Sequence, residues 1–245
     1  MNKLFIIFII CTFISPPSSA RNIRLAVGLD HSRMISDNYP LYRASWIFLT
    51  QALRESGHTV SVFSQSSINA LVTVQEGKLD GLFLAANLIG REKWAVLSSP
   101  LGYDYFGFFI NKLNKNAQGA IGTVNIGNLD QILSNQQQNE LLQIATAQRG
   151  LKQLAKQKIG KFILAEGYGK YLLNNELKSI SENIKFQTSG AERRSAHVAL
   201  SKQNPNYKIL QKIINDAIRS GIEKGDYDKI MNESHLPLKM RVSNP

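Results

Sequence analysis

Arg91 is the first residue to weigh for chemistry. It lies in EGKLDGLFLAANLIGREKWAVLSSP (76–100), where an acidic turn leads into an almost uncharged run that ends on one guanidinium before Ser-Ser-Pro. A cation just past a buried strand is either a ligand contact or a surface arginine on a helix REKWAV. Acid–base and metal chemistry have less to draw on. The chain holds four histidines, His31, His58, His197 and His235, with no two at the spacing of a metal-binding helix or beside an evident nucleophile. Only His31, next to Asp30 at a strand end, stands where catalysis is commonly built, and a loop histidine or ligand contact suits that place equally. No catalytic residue, metal site or cofactor is expected, and the chain does not read as an enzyme.

The elements around Arg91 decide between its two readings. NIRLAVGLD (22–30) begins in alternation and becomes a short apolar run, a strand that ends at Gly28 and Asp30. HSRMISDNYP is turn-rich and reads as loop. In LYRASWIFLTQALRESG, Tyr42, Trp46, Leu49 and Leu53 recur at helical spacing, and Gly57 is the expected cap. HTVSVFSQ is a second strand, INALVTVQEG a second helix ending at Gly77, and KLDGLFLAAN a third strand apolar enough to be buried on both faces. Alternating strands and helices imply a largely parallel sheet. Ligands of such sheets bind outside the carboxyl ends of the strands, which places Arg91 at the expected site. LGYDYFGFFINK (101–112) is an aromatic-dense strand. Alternation sends one set of its side chains to the core and leaves Tyr103 and Tyr105 as candidates for a cleft.

A second unit begins near NKNAQG (114–119). AIGTVNIGN reads as a short strand and LDQILSNQQQNELLQ as a helix broken around the Asn/Gln-rich stretch at 135–139. Gly127 and Asn128 then stand at a helix start. Free backbone N–H groups and the helix dipole can bind an anion there, although any strand-to-helix turn favours the same residue types. GLKQLAKQ continues as helix, KIGKFILAE as strand, GYGKYLLNNEL as helix and NIKFQTS as the last strand of this unit. SAHVALSK returns to the first pattern. The helix YKILQKIINDAIRSGIEKG follows, with Leu210, Ile213, Ile214, Ala217 and Ile218 on one face, and GDYDKIMNES closes as a short helix. Glu192, Arg193 and Arg194, just before the return strand, read as hinge residues, a partner surface or a solvated loop.

The first 20 residues, MNKLFIIFIICTFISPPSSA, run from Lys3 through an apolar stretch to small residues at Ser18 and Ala20, the order of a secretory signal cleaved after Ala20. The apolar core is shorter than the roughly 20 residues a membrane span needs. Cys11 is the only cysteine, so the chain after residue 20 can form neither a disulfide nor a thiolate metal site. The formal net charge is +11, which favours anionic partners in bulk. The basic residues are dispersed and not interleaved with stacking aromatics, so no nucleic-acid partner is expected.

Several pieces, taken in order, resemble one family. They are a Gly77-x-x-Asp80 turn, a strand, Arg91, then Ser99 and Pro100 opening a connector strand. A glycine-turned helix start at Gly127 follows, then Ser201, Lys202 and Pro205 at a strand end, and Gly225, Tyr227 and Ile230 in a terminal helix. The chain resembles the periplasmic solute-binding proteins of type II architecture, the amino-acid-binding group of ABC importers, over most of residues 21–235. The resemblance implies an α/β fold of two Rossmann-like lobes with mixed, mostly parallel sheets joined by crossing hinge strands, one lobe at 21–112 plus 191–245 and the other at 113–190. It implies a monomer in the periplasm that closes on a small anionic or zwitterionic solute and serves a membrane permease. A sensory module signalling to a membrane partner is the alternative. Arg91 would then take the ligand's carboxylate through its planar fork, and Glu166, at a strand end, would receive an ammonium. The chain departs from the family in the run Ala85, Ala86, Asn87, Leu88, Ile89, where hydroxyl residues are usual and Asn87 is the one polar contact. Gly127 is followed by Asn128 and Leu129 in place of hydroxyl residues, and a buried ammonium would need Glu166 or Asp30.

Overall fold

The computed structural model describes residues 20–37, 39–114, 119–124 and 141–243. The expected signal segment up to Ser19, the Gly127–Asn128 helix start and the Asn/Gln-rich stretch lie outside the described residues.

The first part of the chain alternates as its periodicity requires. β1 (Asn22–Gly28), α1 (His31–Ser36), α2 (Pro40–Glu55), β2 (Thr59–Gln65), α3 (Ser67–Gln75) and β3 (Gly81–Ala86) follow one another, with β1 parallel to both β2 and β3. Pro40 opens α2, where a missing N–H removes no helical bond. The helix buries Tyr42, Leu49 and Leu53 and stops before Gly57, which takes a left-handed φ of 79°. The segment expected as loop holds α1 instead. Its His31 and Met34 lie three apart and are both buried, which is enough to hold a short helix against its neighbours.

A 3-10 turn at Arg91–Lys93 leads from β3 into β4 (Ala95–Leu97), so REKWAV is turn and strand rather than helix. Pairing with β9 (Ile184–Ser201) supplies β4's backbone bonds and overrides local helix propensity. Then come β5 (Gly102–Asn111), β6 (Ile121–Thr123), β7 (Leu141–Gln143), α4 (Ala147–Ala155), β8 (Lys161–Ala165), α5 (Glu166–Asn175) and α6 (Lys178–Ser181), and after β9 α7 (Tyr207–Glu223) and α8 (Asp226–Glu233). Residues 141–143 read as the end of a helix, but they form β7, parallel to β6. No helix among the described residues is long and apolar enough to cross a membrane.

The strand order is β2-β1-β3-β9-β5-β8-β6-β7, with β4 also on β9. The two flanks are parallel, and the middle strands are antiparallel. β5 and β9 belong to both flanks. Gly102 to Phe106 pair with Glu192 to Ala196, Phe108 to Asn111 pair with Ile184 to Gln187, and the register shifts between Phe106 and Phe108. β9 also carries β3, and β5 carries β8. β9 is thus one strand where two strands and a charged loop are expected. Its charged triplet is held within the sheet: Arg194 donates to Glu192 Oε2 from Nε at 2.9 Å and Nη2 at 2.7 Å. The Arg194 guanidinium lies 5.0 Å from the Phe106 ring, and that of Arg193 3.5 Å from Tyr103.

The turn residues of the resemblance have a structural role. Gly77 has a φ of 72°, and a side chain there would approach Gln203 Cβ to 3.0 Å. Asp80 is buried. It accepts from Arg24 N and Nη2 at 2.8 Å and from Asn204 Nδ2 at 2.8 Å, while its carbonyl accepts from Ser201 N at 3.2 Å. Asp80 thereby ties β1, the start of β3 and the end of β9 together. Asp80→Ala strands a backbone N–H and an amide, so we expect a loss of about 2 kcal/mol in urea unfolding. Unchanged stability would show that these bonds are replaced by solvent.

Candidate functional site

The C-terminal ends of β1, β3 and β8 carry the candidate side chains. At the end of β3, Leu84 has a φ of 53°, where the register with β9 shifts between Leu82 and Ala85. A left-handed leucine costs about 1–2 kcal/mol, and strain of this sort collects where a chain is re-aimed for function. Gly90, at φ 87°, then turns the backbone into the Arg91 turn.

Arg91 is half-buried, and its guanidinium Nε and Nη1 are buried with no hydrogen-bond partner within the chain. Its carbon lies 5.4 Å from the Trp94 ring, and burial pushes its pKa down. His197 is nearby, with its pKa lowered by burial, while bonds to the Ser98 and Ser99 backbone oppose that shift and the Arg91 charge adds to it. Its Nδ1 is 2.7 Å from the Ser98 carbonyl and its Nε2 2.7 Å from Ser195 Oγ. A carbonyl only accepts, so Nδ1 carries the proton and the Ser195 hydroxyl donates to Nε2. With its pKa lowered the imidazole stays neutral, and with both nitrogens engaged it has no site left to accept from Arg91.

Past the end of β3 opens a cavity of about 340 Å³, bordered by Asn87, Leu88 and Glu92 on one side and Arg193, Arg194 and Ser195 of β9 on the other. Asn87 is exposed there, and its backbone N–H donates to the Ser195 carbonyl at 2.9 Å. Arg194 is 3 % exposed, yet its Nη1 has no partner.

The other candidates fall on the β1 and β8 side. Asp30 is half-buried, and Tyr168 of α5 donates to its Oδ2 at 3.5 Å. His31 is packed between Tyr42 and Trp46, with Nδ1 2.8 Å from the Tyr42 hydroxyl, and burial lowers its pKa. Glu166, the first residue of α5, is 5 % exposed. Lys170 Nζ lies 2.7 Å from one of its oxygens and Lys239 Nζ 2.9 Å from the other. Burial works to raise its pKa, but the two ammonium groups outweigh burial and hold it below the usual carboxylate range. Tyr103 lies under the Arg193 guanidinium, and Tyr105 has Lys239 Nζ 4.8 Å from its ring. Arg91 and Asn87 thus share one strand end, while Asp30, Glu166 and Tyr105 gather around α5. Gly127 and Asn128 lie outside the described residues. Among the described residues no cluster of three or more His, Cys, Asp or Glu is placed to hold a metal ion.

Sequence reasoning missed Asp104 and Lys239. Asp104 is 4 % exposed on β5. Its carboxylate accepts from Gly167 N at 3.0 Å, Tyr105 N at 2.8 Å and the Tyr39 hydroxyl at 3.3 Å. Burial pushes its pKa up to about 6 against those bonds, with the Glu166 charge adding to the rise. A lone acid within an aromatic strand is the one signal that could have found it. Its pKa is raised on folding, so its contribution favours the fold below the unfolded value and fades as pH rises through about 6. Set against the ordinary 3.9, that displacement is worth about 3 kcal/mol. We expect Asp104→Asn to flatten the fall in stability between pH 4 and 7 in urea titrations. An unchanged slope would place the titrating group elsewhere.

No family model and no curated protein matches the chain. Solved structures do. A histidine kinase sensor domain with similarity to periplasmic binding proteins aligns at 16 % identity and TM-score 0.72, over 91 % of this chain and 99 % of its own. A substrate-binding protein of an ABC uptake transporter from Streptococcus pneumoniae, with bound histidine, aligns at 17 % and TM-score 0.72, over 91 % and 95 %. An arginine transport system periplasmic binding protein from Legionella pneumophila aligns at 14 % and TM-score 0.68, over 88 % and 100 %. The chain therefore has the type II periplasmic-binding-protein fold expected from its sequence.

Proposed function

We propose that this protein captures a small anionic or zwitterionic solute, with Arg91 as its anchor, and delivers it to a membrane permease. Residues 21–112 with 191–245 act as one lobe and 113–190 as the other, and β5 and β9 are the hinge. The protein works as a monomer in the periplasm after loss of residues 1–20, and catalysis has no part in this reading.

The observation that carries it is the Arg91 guanidinium, whose buried Nε and Nη1 meet no acceptor within the chain. Buried donors are almost always paired in a folded protein, so an orphaned pair on a cation marks a place for an anion that arrives later. The strained Leu84 upstream and a cavity lined by Asn87, Leu88, Ile89 and Glu92, its neighbours in the chain, support the same assignment, as does the likeness to substrate-binding proteins.

The test is a thermal-shift screen of amino acids, organic acids and phosphorylated metabolites. The protein is first unfolded and refolded to release any carried ligand, and Arg91→Ala is run beside the wild type. A true ligand at a hundredfold excess over Kd adds about 2.7 kcal/mol, a rise of about 5–10 °C for a chain of this size. A shift that vanishes in Arg91→Ala supports the reading, and no Arg91-dependent shift with any class overturns it. The sensor domain among the solved structures favours a second reading, in which the occupied protein signals to a membrane partner. Recovery of a permease from crosslinked membranes would decide for transport, and recovery of a membrane kinase for sensing.

A further inference from the structure

We infer that the cavity between the 87–92 segment and β9 receives an uncharged amide-type group of the solute, a carbonyl with an N–H beside it, and that Glu192 and Arg194 determine this specificity. The inference rests on the reading of Arg91 as anchor for the solute's carboxylate.

Glu192 and Arg194 both line the cavity and stand two apart on β9, where alternation puts them on one face. Their ion pair uses only part of what the two side chains offer. Glu192 Oε2 takes both Nε and Nη2 of Arg194, at 2.9 and 2.7 Å. Arg194 is 3 % exposed, and its remaining Nη1 is buried without a partner. Glu192 is half-buried, and its Oε1 meets no donor among the described residues. In a planar guanidinium held through Nε and Nη2, Nη1 is the nitrogen furthest from the shared oxygen. The free donor and the free acceptor therefore stand at the two outer ends of the pair. A hydroxyl carries both functions on one atom, whereas an amide carries acceptor and donor on two and spans the wider gap. Ser195 adds a further acceptor, because its proton is given to His197 Nε2 and only its lone pairs remain.

Charge narrows the class further. Glu92 and Glu192 bring negative charge to the lining, and Arg193 and Arg194 bring as much positive charge. Among the described residues the lining thus has no net charge. A carboxylate entering it meets Glu192, and an ammonium or guanidinium meets Arg194, so neither sign recovers the cost of leaving water. An uncharged amide meets no like charge and pairs both free atoms, and buried groups left unpaired are what reject a wrong substituent most strongly. The cavity and the anchor belong to one region. Glu92 follows Arg91 in the chain, and the His197 ring that accepts from Ser195 also feels the Arg91 charge.

The experiment titrates refolded, ligand-free protein by calorimetry with near-isosteric pairs that differ at the distal group: succinamate and succinate, L-glutamine and L-glutamate, L-citrulline and L-arginine. In at least one pair the uncharged member is expected to bind about ten times or more tighter than its charged partner, with binding lost in Arg91→Ala. Glu192→Gln removes the carboxylate that an acid would meet, and is expected to narrow the preference for succinamate or L-glutamine or reverse it. Arg194→Lys keeps a cation for Glu192 without the third nitrogen, and is expected to weaken the uncharged members. Asn87→Asp lies at an exposed position, where folding has little to lose, and its added charge is expected to narrow the preference for L-citrulline over L-arginine. Equal or tighter binding of the charged member in every pair, still dependent on Arg91, would overturn this inference and leave solute capture standing. A preference for the uncharged member that none of the three variants changes would overturn its assignment to this cavity. Absence of Arg91-dependent heat from every compound would overturn the inference and count against the capture reading as well.

Discussion

Gly169→Val is expected to destabilise the protein by about 4 kcal/mol, and the loss should depend on Phe109. Gly169 lies within α5, and a Cβ built on it would stand 2.2 Å from Phe109 Cζ and 2.5 Å from Cε2. Phe109 is fully buried on β5 and packs edge-on to Phe186 of β9, with ring centroids 5.1 Å apart. The ring therefore has no free direction in which to retreat, and the helix must lift. Overpacking by a single group costs about 1–3 kcal/mol; valine adds three carbons and the crowding of a β-branched residue in a helix. Relief from glycine's poor helix propensity returns only about 1 kcal/mol. Lifting α5 also disturbs the Gly167 bond to Asp104 and the Tyr168 bond to Asp30, so the defect reaches the candidate site. Phe109→Leu combined with Gly169→Val should be more stable than the sum of the single losses in a urea double-mutant cycle. Simple additivity would mean that the helix does not close on that ring.

The legible parts of this fold are those determined over a few residues. Tyr42, Leu49 and Leu53 place α2 by spacing alone, and the apolar run before Arg91 places β3 and puts Arg91 at its carboxyl end. What escaped depends on partners far along the chain. β9 reads as two strands because Gly190, at φ 75°, and the Glu-Arg-Arg triplet look like a break. The triplet stays in the sheet because Arg194 bonds Glu192 and lies over Phe106, while Arg193 covers Tyr103 on the facing strand. β4 is strand rather than helix for a similar reason, since its partner β9 begins more than eighty residues later. At the site, the place of Glu166 at a strand end was readable from KIGKFILAE. Its occupation by Lys239, 73 residues away, leaves no local pattern, and that occupation is what changes the chemistry expected of Glu166.

Arg91→Met is expected to raise the stability of the ligand-free protein by about 2 kcal/mol while weakening ligand binding by about 4 kcal/mol, close to a thousandfold in Kd. Both effects come from the same two orphaned donors. Without ligand, Nε and Nη1 of the guanidinium are out of water with no acceptor in the chain, and burial accordingly lowers its pKa. Methionine fills much of the same volume without charge, and replacing buried ionic groups by apolar ones commonly gains about 1–4 kcal/mol. Loss of the contact with Trp94 returns about 0.5–1 kcal/mol of that. In the occupied protein the sign reverses, because the anion meets both donors in a desolvated setting, and removing one partner of such a pair costs about 2–5 kcal/mol. Denaturation curves should therefore cross: the variant is the more stable without ligand, and the wild type overtakes it as ligand is added. A ligand-free variant less stable than the wild type would show that Arg91 is held for the fold, since only an acceptor within the chain could make its charge worth keeping when the site is empty.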